Sequence, residues 1–116
     1  MVKVEGTTIT LTRGDTLEIE VKINDATGMP YSPKTGEVVR FSVKKKIADR
    51  APVIEKVLDN ETLILRLESE ETKVFENPRA RGEAIPYVYD VEITLQDGTV
   101  STIINAALIN IVPEVY

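Results

Sequence analysis

The side chains in this sequence that could do chemistry are carboxylates, lysines, arginines and tyrosines, because its 116 residues include no histidine and no cysteine. Histidine is the commonest general base at neutral pH, and it shares with cysteine most zinc sites. Their absence removes the usual hydrolytic triads and thiol chemistry. The sequence also has no glycine-rich phosphate loop and no dinucleotide fingerprint. It therefore predicts a protein that is not an enzyme and that has no catalytic residues, no metal ligands and no cofactor.

Two charged clusters have an ordinary structural interpretation. Glu68, Glu70 and Glu71 are acidic neighbours, but calcium needs several oxygen ligands that converge from one loop, and no such motif surrounds them. Residues 44–46 are lysines and Arg50 follows them, yet no exposed aromatic platform for bases accompanies them. The formal net charge of -5 also disfavours nucleic acid and anionic lipid as partners. We interpret both clusters as solvated ends of secondary structure.

The best candidates for partner-binding residues lie in loops and at the C-terminus. Arg79 and Arg81 belong to residues 76–86, which are bounded by prolines and too polar to pack, so we expect an exposed loop there. Tyr31 and Tyr116 fall outside the alternating segments and are candidates for exposed aromatic contacts. No catalytic or cofactor role is assigned to any of these four residues.

The tripeptide Arg13-Gly14-Asp15 spells an integrin-recognition sequence. Three residues are weak evidence, and this stretch connects two alternating segments where Gly14 and Asp15 suit a turn. We interpret it as a turn.

Strict alternation of apolar and polar residues dominates the chain. Residues 17–24 and 87–96 show it most clearly, and such a period of two is typical of strands with one buried face. Shorter alternating segments predict further strands at residues 8–12, 39–45, 53–58, 63–67, 99–104 and 107–112. Seven or eight short strands predict two packed antiparallel sheets, with a partly closed barrel as the alternative.

Turns and one helix connect these strands. Asp97-Gly98 predicts a hairpin with a type I′ turn, in which both central residues have positive φ. Residues 69–75 predict a short helix of about two turns, with Ser69 as its N-cap and acidic residues in its first turn. No linker or repeat divides the chain, so we expect residues 1–116 to form a single domain.

The ends and the hydropathy of the chain predict a soluble protein. The first residues lack the basic segment and apolar run of a signal peptide, and no apolar stretch approaches the length of about 20 residues that crosses a bilayer. We therefore expect synthesis in the cytoplasm without export, and no membrane partner.

One order of motifs spans residues 8–112 and is carried by residues 11–16, 29–31, 39–45, 89–95, 97–98 and 102–104. In this order the sequence resembles a family of short immunoglobulin-like β-sandwich proteins, found among the tail and baseplate genes of phages and prophages of Gram-positive bacteria. It is also similar to the N-terminal domain of their upper baseplate proteins. Residues 76–86 form a longer loop than the family pattern has.

The resemblance implies a virion structural protein, made in the bacterial cytoplasm and assembled through protein contacts. Its partners would be other virion proteins or further copies of the same chain. The alternative function is a carbohydrate-binding or host-adhesion module, because β-sandwiches also bind glycans through loops and aromatic side chains.

Overall fold

The protein is an all-β sandwich with one very short helix. The computed structural model describes residues 2–79 and 83–113. Its elements in chain order are β1 (Val2–Glu5), β2 (Thr8–Thr12), β3 (Leu17–Glu20), β4 (Val38–Lys44), β5 (Ile54–Leu58), β6 (Ile64–Leu67), α1 (Ser69–Thr72), β7 (Ile85–Thr94) and β8 (Val100–Val112). One sheet has the strand order β1-β2-β8-β7-β4-β5, and the other consists of β3 and β6. The predicted fold class is confirmed.

The core lies between the two sheets and is built by the period-two pattern. In β4, for example, Val39, Phe41 and Val43 are fully buried while the residues between them face outward. The other strands contribute inward residues in the same way: Ile9, Leu11, Leu17, Leu65, Leu67, Tyr87, Tyr89, Val91, Ile93, Ile109 and Ile111. The ring of Phe41 lies 5.4 Å from that of Tyr89, centroid to centroid. The alternation therefore identified the buried face of β2, β4, β6 and β7.

Most predicted strands are displaced by at most two residues at their ends, but β1 was not predicted and two further strand predictions were wrong. The strand expected over residues 17–24 ends at Glu20, opposite Ile64 at the start of β6. The N–H of Val21 still donates to the carbonyl of Leu63 (2.8 Å), and beyond that bond the positive φ of Leu63 (51°) turns the chain away from the pairing. Residues 99–104 and 107–112 are not separate strands but parts of β8, which runs past a bulge at Ala106 without losing its partner β7. Bulges of this kind add a residue to one strand and bend it.

One strand pairing is also not antiparallel. β2 runs parallel to β8, with Ile9 opposite Ile109 and Leu11 opposite Ile111. Parallel pairing is possible for these strands because they are far apart in the sequence and are not connected by a hairpin.

The turn and the helix differ in detail from their predictions. At the Asp97-Gly98 hairpin, the N–H of Gly98 donates to the carbonyl of Leu95 (2.9 Å), and Gly98 has positive φ whereas Asp97 does not. This is a type I turn followed by a glycine bulge, not a type I′ turn. Helix α1 has one turn instead of two, because the chain leaves the helical hydrogen-bond pattern after Thr72.

The N-cap of α1 is Glu68, not Ser69. The N–H of Glu71 donates to the Glu68 carbonyl (2.9 Å), and the Glu71 side chain accepts from the backbone N–H of Glu68 (3.0 Å), as in one half of a capping box. Ser69 instead donates its hydroxyl to the Gly14 carbonyl. In the described part of the chain, this four-residue helix is far too short to span a membrane.

Candidate protein-interaction site

The first half of β8 lies at the edge of the six-stranded sheet. β7 pairs with one side of β8 over most of its length, whereas β2 pairs with the other side only from Ile109 to Val112. Within residues 2–79 and 83–113, no strand pairs with the second side of residues 100–108. We call this side the open edge. Backbone groups along such an edge can pair with an added strand.

The open edge lacks the charges that protect most sheet edges. Residues 98–113 contain no charged residue, although 28% of the chain is charged. By contrast, the outermost strands of the two sheets all carry charged residues: Lys3, Glu5, Glu18, Glu20, Glu55, Lys56 and Arg66. Bulges at residues 103 and 105–106 leave residues 100–102 as the regular part of the open edge.

A groove of about 500 Å³ lies beside this regular part. Its apolar lining comes from Ile23, Ile93, Leu95 and Ile103, and its polar lining from Lys22, Asn24, Asp25, Ser101 and Thr102. An apolar lining with polar groups at its borders is typical of binding sites for peptides and small ligands. The groove and the open edge together form the candidate site.

One wall of the groove is a loop that Asp25 holds in shape. Oδ1 of Asp25 accepts hydrogen bonds from the N–H of Thr27 (2.9 Å), the hydroxyl of Thr27 (2.5 Å) and the N–H of Met29 (3.1 Å). These bonds, first of all the one from the Thr27 hydroxyl, lower the pKa of Asp25. The Asp25 carboxylate is therefore engaged within its own loop, and Met29 is presented at the loop surface.

Tyr31 lines this groove but is not a free aromatic side chain. Its ring packs against the core, and its hydroxyl donates to Oε1 of Glu37 (2.6 Å). The same carboxylate oxygen accepts from the N–H of Lys34 (2.8 Å), and this bond and the one from Tyr31 lower the pKa of Glu37. The bond to Glu37 also raises the pKa of Tyr31. Tyr31 is thus partly buried and held in a fixed orientation.

The other predicted contact residues lie away from this groove or outside the described residues. Arg79 is exposed in the segment after α1, and its charge contributes to the lowered pKa of Glu76, which is caused mainly by the ion pair with Lys45 (2.9 Å). Arg81 and Tyr116 lie outside the described residues. Most described residues of this segment are exposed, as predicted, but Pro78 is buried, and Ile85 and Pro86 belong to β7 and not to a loop.

The acidic neighbours 68, 70 and 71 belong to α1 and its contacts. Glu71 pairs with Lys56 of β5 (2.5 Å), an interaction that lowers the pKa of Glu71. Glu68 pairs with Arg66 (2.6 Å), and Glu70 with Lys73 (3.4 Å). Within the described ranges, no group of three or more Asp and Glu residues is placed to hold a metal ion.

The Arg13-Gly14-Asp15 turn packs against α1 and the residues that follow it. Nε of Arg13 donates to the carbonyl of Phe75 (2.7 Å), and Nη2 donates to that of Lys73 (2.8 Å). The turn is therefore part of the fold's internal hydrogen bonding, in agreement with its interpretation as a turn.

The sequence reasoning missed the open edge and found only Tyr31 among the groove residues. The uncharged run over residues 98–113 is typical of an interior strand, because strands that lie at sheet edges normally carry charges, so it did not indicate the open edge. Comparison of the chain with protein-family models, with curated proteins and with solved structures gives no match.

Proposed function

We propose that this protein is a non-enzymatic structural module of a phage or prophage virion, in its tail or baseplate, and that it acts through protein contacts. The observation that carries the protein-binding part is the uncharged open edge of β8 beside an apolar groove. An extended segment of another virion protein can add main-chain hydrogen bonds along residues 100–102 and place side chains in the groove.

The strand order gives further support. β8, β7, β4 and β5 lie side by side in one sheet, while β3 and β6 form the other. Immunoglobulin-like sandwiches of the variable type place their strands G, F, C and C′ in one sheet and B and E in the other. The match supports the resemblance to immunoglobulin-like virion modules, from which the virion assignment comes.

Glycan binding has less support. A sugar-binding platform needs an accessible aromatic face, whereas Tyr31 packs against the core and its hydroxyl bonds to Glu37. A glycan array probed with the wild-type chain and with Tyr31→Ala separates the two functions. Protein assembly predicts no glycan signal, and binding that is lost in Tyr31→Ala would favour the adhesion function instead.

The virion role is tested by particle composition. Phage particles are induced from the bacterium that encodes the chain, purified by density gradient and analysed by mass spectrometry. We expect the chain at a fixed ratio to the tail proteins. Its absence both from particles and from tail assembly intermediates would refute the proposal.

The groove is tested with a matched pair of substitutions at two small, exposed residues. Ser101→Arg places a long charged side chain in the groove, and Ala51→Arg adds the same side chain between β4 and β5, outside the groove. We expect incorporation into particles to fall about tenfold or more for Ser101→Arg, the loss that corresponds to one strong contact. Ala51→Arg should incorporate normally, and equal incorporation of both variants would exclude the groove.

The arginine loop is tested separately with Arg79→Ala combined with Arg81→Ala. Loss of incorporation would assign the loop a contact role. Normal incorporation would remove it as a contact surface and leave the groove proposal unaffected.

A further inference from the structure

A second feature of the six-stranded sheet is an uncharged area on its outer face. In β2, β7 and β8 the buried residues alternate with outward ones, and the outward residues near one end of the sheet are Thr10, Thr12, Pro86, Val88, Leu108 and Asn110. We call these six residues the uncharged face. They are neighbours in the sheet, because Asn110 lies opposite both Thr10 and Pro86, and Leu108 lies opposite Val88.

The rest of the same outer face includes charged residues. Arg40 lies opposite Glu92, and it also forms an ion pair with Glu55 (3.4 Å). The border of the uncharged face has both signs, since Lys44 lies opposite Val88 and Asp90 follows two residues along β7. The middle of the uncharged face is apolar, with Leu108 43% exposed beside Val88.

We propose that the uncharged face binds a second copy of this chain, with the two sheets packed face to face. In a two-fold dimer, each side chain near the axis lies opposite the same side chain of the second copy. Uncharged residues can pack there, whereas a cluster of charges of one sign would be repelled by the same cluster on the other chain. Two chains that each have a net charge of -5 repel one another. A contact through an uncharged area adds less to this repulsion than a contact through a charged surface would. The border charges fit the same partner, because Lys44 of one copy can meet Asp90 of the other.

This inference rests on the proposed assembly function and names a partner and a surface for it. The surface is distinct from the groove: Leu108 and Val88 face outward from the sheet, whereas Ile93 and Ile103 line the groove. One chain can therefore bind a second copy and an extended partner segment at the same time.

The test is sedimentation velocity over a concentration series, with a matched pair of variants. Leu108→Glu places a charge in the middle of the uncharged face. Val57→Glu makes a comparable change on the outer face of β5, at a residue that is 61% exposed and therefore more accessible than Leu108. We expect the wild-type chain and Val57→Glu to dimerise with similar dissociation constants, and that of Leu108→Glu to rise at least about tenfold, which corresponds to the loss of one buried contact.

Three results would overturn the inference. The first is a wild-type chain that stays monomeric up to about 1 mM. The second is an unaltered dimer of Leu108→Glu, and the third is an equal loss of dimer in both variants. Thermal unfolding of each variant verifies that it is folded. A monomeric chain that is still found in purified particles would refute the dimer alone, whereas absence from both particles and tail assembly intermediates would refute the virion role.

Discussion

The hydroxyl of Thr72 accepts a hydrogen bond of 3.0 Å from the backbone N–H of Gly14 and so joins helix α1 to the turn between β2 and β3. The same hydroxyl lies 2.9 Å from the carbonyl oxygen of Asp15, to which it donates. Thr72 is fully buried, and the adjacent Ser69 hydroxyl donates to the Gly14 carbonyl. A one-turn helix has little stability of its own, so these contacts hold it in place.

The first prediction concerns this connection. Thr72→Val keeps the shape of the side chain but removes the hydroxyl, which leaves the N–H of Gly14 and the carbonyl of Asp15 without that partner. We expect a loss of roughly 1–3 kcal/mol in the free energy of unfolding, measured by urea denaturation. Thr72→Ser keeps the hydroxyl and is the control. Equal losses in the two variants would mean that the hydrogen bonds contribute nothing.

The alternation of residues predicted much of this fold because the pleat of a strand is a local property. Phe41 and Val91 could be assigned to the core from their neighbours alone. The end of β3 could not be predicted, since it depends on Leu63, whose positive φ ends the pairing from the opposite strand. The parallel pairing of β2 with β8 likewise depends on where each strand enters the sheet.

The candidate site was less predictable than the fold. Tyr31 was selected from its position outside the alternating segments, but its bond to Glu37 depends on the path of the connecting residues. The open edge depends on how far β2 extends beside β8. That length is set by the pairing of two strands that are distant in the sequence, and the residues of either strand alone do not predict it. Only the absence of charge over residues 98–113 is a property of the sequence itself.

The second prediction concerns acid stability. The N–H of Lys34 and the hydroxyl of Tyr31 lower the pKa of Glu37 in the folded protein below its ordinary value of 4.5. The unfolded state therefore takes up a proton first, and the stabilisation from Glu37 is present above pH 4.5 and lost as the pH falls through the folded-state pKa. We expect the thermal midpoint of Glu37→Gln to decline less steeply below pH 4.5 than that of the wild type. Parallel declines would show that Glu37 does not contribute.

The third prediction concerns alkaline stability. Burial raises the pKa of Tyr89 above its ordinary value of 10.0, and its hydroxyl donates to the carbonyl of Thr7. The stabilisation from the neutral hydroxyl is present below pH 10.0 and is lost as the pH rises through the higher folded-state pKa. Tyr89→Phe should lose about 0.5–1.5 kcal/mol at neutral pH.

The same variant should also lose less stability than the wild type above pH 10.0. Chemical denaturation at pH 7 and at several alkaline pH values measures both effects. If the alkaline decline of Tyr89→Phe matches that of the wild type, another group is responsible for it.

The fourth prediction uses two residues with nearly the same backbone conformation. Ala106 in the bulge of β8 has φ 49°, and Leu63 before β6 has φ 51°. This left-handed conformation costs a residue with a Cβ about 1–2 kcal/mol, whereas glycine adopts it freely but gains entropy in the unfolded state. Because the methyl of Ala106 is exposed, we expect Ala106→Gly to leave stability unchanged or raise it by up to about 1 kcal/mol.

Leu63→Gly relieves the same strain but removes a side chain that packs against the core, so it should be destabilising by about 1–3 kcal/mol. Urea denaturation of both variants gives the comparison. The N–H of residue 106 still donates to the Asp90 carboxylate (2.6 Å) in Ala106→Gly, so the bulge itself is retained. A clear loss of stability in Ala106→Gly would show that the bulge is held by its side chain and not by this hydrogen bond.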